Sequence, residues 1–371
     1  MVIQSPIMKR NSGIELLKVI AIFLVVFTHV SNSLSAEQLL NIKYPVPNFN
    51  IFFVYFAKHF GGIGNIIFVV CSSWFLCDSK RIRIEKILKI IVDVWIVSVS
   101  IFIIYFLFGL RANPYFLVTV FFPNLFGTNW FITCYMILYL IHPGLVFITD
   151  SLKQRSHAIV CIIIFTAYFV LGFIRNELLY SSDLIVFVSI FIIVSYIKKY
   201  MNDFHSNIKC NLLLLCISVL GLIGLYSCLY YLSITVSVLG GKFLITSFNN
   251  NPFALFIAIA LFNILSNLEF YNKLINNISS MSLLIYIFHE NKCFRLFTRE
   301  KIWLWLIDRF GMRYLIIMII CFSFFLLTVS CILSFLYKKI SSKFVLELVE
   351  RIGDFLIKVG YLFSNKLMNI K

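Results

Sequence analysis

Long apolar runs separated by short polar stretches make up most of the 371 residues. Ten of these runs approach the ~20 residues that an α-helix needs to cross the hydrocarbon core of a bilayer. They cover 14–33, 62–77, 87–108, 129–148, 157–174, 183–198, 211–232, 252–268, 278–296 and 314–337. The pattern predicts an all-α integral membrane protein with about ten transmembrane helices.

Glycines make the second run unusual. Gly61, Gly62 and Gly64 stand at its start, so we expect a broken or re-entrant segment there. The apolar residues 51–56 just before it predict a further half-helix.

The C-terminal segment has a different pattern, because apolar residues alternate with charged ones from Ile340 to Lys371. This is typical of an amphipathic helix on a membrane surface, although a solvated helix without a role fits equally well. We therefore divide the chain into a polytopic membrane domain, residues 1–340, and an amphipathic cytoplasmic tail, residues 341–371.

Composition supports the membrane assignment and adds an orientation. The chain is 61% hydrophobic, with a mean hydropathy of +0.96 and a formal net charge of +16. Lysines and arginines gather in alternate loops, which predicts that both termini are cytoplasmic in a cell membrane. The cations between Lys292 and Arg313 disagree with this topology. They either meet an anionic substrate or show that the ninth helix is misassigned.

Some classes of function are not expected from this composition. Without a domain-sized soluble segment, the positive charge indicates contact with membrane lipid rather than nucleic acid. The ten cysteines lie mostly in apolar runs and form no CxxC pair, so we expect neither a disulfide framework nor a metal site.

Three ionisable side chains interrupt the first apolar run. Glu15, Lys18 and His29 lie on one helical face, with His29 roughly 16 Å beyond Lys18 along the axis. An ionisable residue inside a membrane span is costly and commonly functional. We predict that His29 is a general base, that Lys18 supports the site and that Glu15 positions Lys18. The alternative is a histidine that only packs against a neighbouring helix.

Two further polar groups complete the set of candidate residues. Arg83, Lys86 and Lys89 form a cationic edge at the start of the third helix, where phosphate groups bind well. Taken alone, such an edge more often reflects the general excess of positive charge in cytoplasmic loops than a phosphate-binding site. In the ninth run, Tyr286, His289 and Glu290 are the candidates to complete a site with His29, although a pair of outer-interface residues is equally compatible.

Five motifs follow one another along the chain. They are Lys18-x10-His29, FVVCSSWF at 68–75, Lys86-Ile-Leu-Lys89, the aromatic segment from Trp130 to Pro143, and Tyr286-Ile-Phe-His289. Over about residues 10–337 this order resembles the acyltransferase 3 family, the multipass O-acyltransferases that acetylate bacterial polysaccharides and related glycans. Lysines stand here where that family has arginines, at positions 18, 86 and 89.

The resemblance implies an activity and its substrates. It implies an acyl-CoA-dependent O-acyltransferase with no bound cofactor and with acetyl-CoA as the expected co-substrate. The implied acceptor is a hydroxyl of a cell-surface polysaccharide or of its lipid-linked precursor. His29 would be the base or would carry a covalent acyl group, Arg83, Lys86 and Lys89 would bind donor phosphates, and Trp130 would support the acceptor side.

Two other classes of function stay open on the sequence alone. A transporter or flippase of a lipid-linked glycan would also use buried charges and a basic outer loop. A non-catalytic scaffold in a glycan-assembly complex would tolerate loss of both Lys18 and His29.

Overall fold

The computed structural model describes residues 10–33, 49–109, 113–124, 129–174, 182–235 and 250–368, and every regular element in these ranges is helical. The helices are α1 Ser12–Ser31, α2 Phe49–Ala57, α3 Phe60–Leu76, α4 Ile84–Leu107, α5 Pro114–Phe121, α6 Trp130–Ser151, α7 Gln154–Ile164, α8 Asp183–Tyr200, α9 Asn202–Ser206, α10 Ile208–Thr235, α11 Pro252–Ser266, α12 Lys273–Ser279, α13 Ser282–Glu290, α14 Lys292–Phe297, α15 Leu304–Phe310 and α16 Leu315–Met368. A π-helical segment, Phe165–Leu171, and one turn, Gly172–Ile174, continue α7, and a second π-helical segment, Thr298–Trp303, joins α14 to α15.

Seven helical segments are long and apolar enough to cross a membrane. They are Ser12–Ser31, Phe52–Leu76, Ile84–Leu107, Trp130–Ser151, Gln154–Ile174, Ile208–Leu232 and Leu315–Phe355. Large apolar side chains are exposed along several of them, as expected for surfaces that face lipid rather than water. The chain is therefore an all-α membrane protein.

Three of the ten predicted spans are not among these seven, each for a different reason. Helix α8 carries Asp183, Lys198 and Lys199 within its 18 residues, and α11 is only 15 residues long. The ninth predicted helix, 278–296, is wrong as a single helix, since it is broken after Ser279 and again at Asn291.

The predicted half-helix before the glycines is confirmed as α2. The break between α2 and α3 falls at Lys58 and His59, before the glycines. The Thr28 hydroxyl of α1 donates to the Ala57 carbonyl at 2.9 Å and accepts the Gly61 N–H at 2.5 Å. Both backbone groups lie beside this break, so α1 satisfies hydrogen bonds that a continuous helix would have made internally.

Helix α1 lies at the centre of the bundle, against α3, α11, α12, α13 and α16. Its side chains Leu17, Ala21 and Ile22 are fully buried. Gly64 of α3 permits the close approach, because a Cβ there would lie 2.6 Å from the Ala21 carbonyl oxygen. The position of α1, and therefore of the ionisable residues on it, is fixed on several sides.

The last helix, α16, runs without a break past the predicted domain boundary at residue 340. Beyond that point, Val345 and Val349 pack with Val92 of α4 in a small apolar cluster. The tail 341–371 remains a prediction as a separate surface segment. Up to residue 352, its described part contacts α4.

Candidate active site

Helices α1 and α13 bring three predicted site residues together. His29 lies in the last turn of α1, and His289 and Glu290 end α13. The Nδ1 atom of His29 lies 2.8 Å from Glu290 Oε1 and 2.9 Å from His289 Nε2. The two imidazole rings stack with their centroids 5.1 Å apart. Residues 260 positions apart in sequence thus share one hydrogen-bonded cluster.

The hydrogen bonds determine which nitrogen of each histidine carries the proton. His289 Nδ1 lies 2.9 Å from the Ile285 carbonyl oxygen, which can only accept, so Nδ1 holds the hydrogen and Nε2 is an acceptor. His29 Nδ1 faces that acceptor and the Glu290 carboxylate, so Nδ1 carries the hydrogen, which these two acceptors share. The lone pair of a neutral His29 is consequently on Nε2, which makes no hydrogen bond within the described part of the chain.

Exposure distinguishes the two histidines. The side chain of His289 is 1% exposed, whereas that of His29 is 23% exposed. His289 is therefore enclosed by protein, and His29 keeps an accessible edge.

A buried arginine completes the cluster. Arg299 donates from Nη2 to Glu290 Oε1 at 2.5 Å and from Nη1 to the His29 carbonyl oxygen at 3.4 Å. Arg295 is more distant, 3.9 Å from Glu290 Oε2. The guanidinium of Arg299 therefore compensates the Glu290 charge and links it to α1.

Local backbone features place Arg299 and Glu290 on the same side. Asn291 interrupts the helix with extended geometry, and its side chain accepts the N–H groups of Cys293 and Phe294, which begins α14. Arg299 then lies in the π-helical segment, a rare geometry that occurs frequently at functional sites.

The cluster also has the composition of a metal site. The ligand atoms of His29, His289 and Glu290 all lie within 4.8 Å of one another. The two shortest separations, 2.8 and 2.9 Å, are ordinary hydrogen-bond lengths. Glu290 also holds the Arg299 guanidinium, whose charge would repel a cation. The contacts therefore fit a hydrogen-bonded acid–base cluster better than a metal site.

Lys18 and Glu15 form a separate pair, away from His29. Lys18 Nζ lies 3.3 Å from Glu15 Oε1, and the Ser279 hydroxyl donates to the other carboxylate oxygen. The helical rise places this pair roughly 16 Å from His29. The structure thus joins Glu15 to Lys18, but it does not bring either residue to the histidines.

A cavity of about 510 Å³ opens at the end of the bundle where α1 and α4 begin. Lys86 and Lys89 of α4 line it. Lys86 donates to the Tyr135 hydroxyl at 3.1 Å, and Lys89 pairs with Asp93 at 2.7 Å. Two of the three predicted donor-binding residues therefore lie on one cavity.

The far end of this cavity approaches the histidine cluster. Val25 lines it, and His29 stands one turn further along α1, a rise of about 6 Å. Tyr286 also lines it, and its ring meets that of His289 edge-on at 5.6 Å. Tyr286 thus stands between the cavity and the histidines, which themselves do not line it.

The remaining two predicted residues are elsewhere. Arg83 is exposed and does not line the cavity, although its backbone N–H donates to the Tyr139 hydroxyl at 3.1 Å. Trp130 packs against Phe131 and Phe187. Neither side chain contacts the histidine cluster.

Several site residues were missed by the sequence analysis. Arg299 was counted among the loop cations, and the excess of positive charge between Lys292 and Arg313 was its only signal. Ser282 lies in the ninth predicted run and was given no role, yet its hydroxyl is buried at the cavity wall without a hydrogen-bond partner among the described residues.

Comparison with known proteins adds a family to this geometry. The model of the acyltransferase 3 family, described as an acyltransferase domain, matches residues 11–338, which include the histidine cluster and most of the cavity wall. No curated protein and no solved structure matches the chain. The match covers nearly the whole membrane bundle, and the chain therefore belongs to the acyltransferase 3 family.

Proposed function

We propose that this protein is a membrane O-acyltransferase that moves an acyl group from acyl-CoA to a hydroxyl of a cell-surface polysaccharide or of its lipid-linked precursor. The observation that carries the proposal is the His29 imidazole. Its Nδ1–H faces Glu290 and His289, its Nε2 makes no hydrogen bond within the described part of the chain, and the side chain as a whole is 23% exposed. This is the arrangement of a general base whose tautomer is fixed by its neighbours.

The cavity supports acyl-CoA as the donor. Cationic side chains gather at its open end, where phosphates would bind, and apolar side chains such as Val25, Phe68 and Phe131 line the deeper part. A molecule with an anionic head and a long, mostly apolar arm matches this distribution. We expect the acyl group to be acetyl, as in the family resemblance.

The proposed reaction needs one base and no metal. The acceptor hydroxyl gives its proton to His29 Nε2 while its oxygen bonds to the thioester carbonyl carbon. Collapse of the tetrahedral adduct breaks the carbon–sulfur bond, and the proton on His29 passes to the departing thiolate. The products are the O-acyl sugar and free CoA. Glu290 stabilises the imidazolium that exists between the two proton transfers.

The positions of the two sites support transfer between opposite sides of the bundle. The cavity opens where α1 begins, and His29 stands near the end where α1 finishes. With both termini in the cytoplasm, the donor would enter from the cytoplasm and the glycan would approach from outside. Tyr286 would then separate the donor cavity from the acceptor until the acyl group reaches His29.

The experiment is a substitution of His29 that keeps the hydrogen-bond donor at the Nδ1 position and removes the basic Nε2 atom. In His29→Asn, the amide nitrogen takes the place of Nδ1–H and can still donate to Glu290, but no group replaces Nε2. We expect the purified protein to bind acyl-CoA normally and to lose at least 100-fold in glycan O-acylation, measured by mass spectrometry of the acceptor. Normal acylation by a correctly inserted His29→Asn protein would remove His29 from the mechanism.

The transporter and scaffold alternatives make different predictions for the same preparation. A transporter or flippase would produce no acylated sugar and no CoA thiol in detergent. A scaffold would tolerate Lys18→Ala together with His29→Ala in cells. The free lone pair of His29 favours the enzyme over both.

A further inference from the structure

The C-terminal helix forms one wall of the cavity beyond the region that the family model matches. That match ends at residue 338, whereas α16 continues to Met368. Four residues past the match line the cavity: Ser341, Ser342, Val345 and Leu346. With Lys338 they follow a 3-4 helical spacing, which places all five on a single face of α16.

Three contacts hold this part of α16 in place, two with α4 and one with the turn between α12 and α13. The Tyr337 hydroxyl donates to Asp93 Oδ1 on α4 at 2.9 Å. Lys338 donates to the Ser280 hydroxyl at 3.1 Å, in the break between α12 and α13. Val345 packs into the small apolar cluster on α4. The wall is therefore built by specific contacts rather than by a helix end that happens to lie nearby.

The cavity carries uncompensated positive charge. Arg10, Lys86, Lys89 and Lys338 line it, and Asp93 is the only carboxylate among its described lining residues. Asp93 is already bonded to Lys89 and to the Tyr337 hydroxyl. Arg10, Lys86 and Lys338 have no carboxylate partner within the part of the chain that the structure describes. Such a group of cations favours an anion with several charges.

A second, independent feature also indicates a ligand. The Ser282 residue is 6% exposed and lines the same cavity, and its hydroxyl has no partner among the described residues. A buried hydroxyl without a partner costs free energy unless a bound molecule satisfies it.

We propose that the extension of α16 beyond residue 337 is part of the donor site, and that Lys338 and Ser342 contact the phosphate groups of acyl-CoA while Ser282 bonds to its arm. This inference rests on the proposed function for the identity of the donor. From Ser341 onward it adds a wall that the family match does not include, and it gives the C-terminal segment a binding role. The phosphate of an anionic lipid shares this chemistry and is the competing occupant.

The test compares two adjacent lysines in the full-length protein in detergent. Lys338 lines the cavity, whereas the exposed Lys339 does not, so Lys338→Ala and Lys339→Ala remove the same charge at the same depth. We expect Lys338→Ala to weaken acetyl-CoA binding about tenfold, by calorimetry without acceptor, and Lys339→Ala to change it less than twofold. Ser342→Trp, which places a bulky ring in the cavity at its α16 wall, should abolish binding, while Lys343→Trp, whose side chain does not line the cavity, should not.

The outcomes separate this inference from the proposed function. If the unaltered protein binds no acetyl-CoA, the donor assignment fails, and this inference fails with it. If the unaltered protein binds but Lys338→Ala and Ser342→Trp bind equally well, only the role of α16 is overturned. It is also overturned if these variants keep acetyl-CoA affinity and lose only binding of phosphatidylglycerol.

Discussion

The Glu290 carboxylate offers the sharpest test of the histidine cluster. In Glu290→Gln the shape is kept and the charge is removed, so the imidazolium that forms on His29 loses its ionic partner at 2.8 Å. A hydrogen bond to a charged group contributes about 1.5–3 kcal/mol. If about 2–3 kcal/mol of this stabilisation is present only in the transition state, its loss raises the activation free energy by that amount, and kcat should fall roughly 30- to 150-fold. The assay is initial-rate acylation at saturating acyl-CoA.

The same change has a structural cost that must be separated from the catalytic one. The side chain of Arg299 is 6% exposed, and in Glu290→Gln its charge is left without a carboxylate at 2.5 Å. Breaking a buried ion pair costs about 3–5 kcal/mol of stability. The double variant Glu290→Gln/Arg299→Met removes the unpaired charge, so its melting temperature should recover while kcat stays low.

A nearby glutamate provides the matched control for this prediction. Glu300 is exposed, next to Arg299 in sequence, and Glu300→Gln should leave both kcat and melting temperature unchanged. The reasoning is refuted if Glu290→Gln keeps kcat within twofold of the unaltered enzyme, or if the double variant recovers its kcat together with its stability.

Two further predictions concern the packing and capping that hold the cluster. Gly64→Ala should lower the free energy of unfolding by about 1–3 kcal/mol in a thermal melt, because the new Cβ would lie 2.6 Å from the Ala21 carbonyl oxygen. Gly224→Ala is the control: a Cβ there meets nothing within 4 Å, so this change should not destabilise the protein. Asn291→Ala should lower the free energy of unfolding by about 1 kcal/mol through loss of the α14 cap, and it should also reduce kcat. Asn113→Ala removes the α5 cap and should affect stability alone. Equal effects of the two changes on kcat would contradict a positioning role for Asn291.

Hydrophobic patterning located the helices that depend on local sequence. The spans around α1, α4, α6, α7 and α10 agree with the predicted runs within a few residues, because one long apolar run per helix determines them. The ninth run failed since its breaks come from Asn291 and from the Ser279–Met281 turn. The Asn291 side chain accepts the Cys293 N–H, and the Ser279 hydroxyl donates to the Glu15 carboxylate of α1, and a hydropathy average resolves neither bond.

The candidate site was predictable only in part. His29, His289 and Glu290 could be found because ionisable residues inside apolar runs are conspicuous. Arg299 could not, since its burial depends on the π-helical segment that turns it back toward α1. The cavity depends on how α4 packs against α16, so Lys338 and Ser282 have no distinguishing signal in the sequence.

The hydrogen bonds of the Thr28 hydroxyl connect the next residue, His29, to the corner between α2 and α3. The hydroxyl holds both sides of the corner between α2 and α3 through Ala57 and Gly61. Any straightening or tilting of α2 would have to break these hydrogen bonds or displace the last turn of α1. The imidazole of His29, the base that we propose, is thereby linked to the corner between α2 and α3 through the adjacent residue, so that movement of α2 would reach the last turn of α1 through a single hydrogen bond.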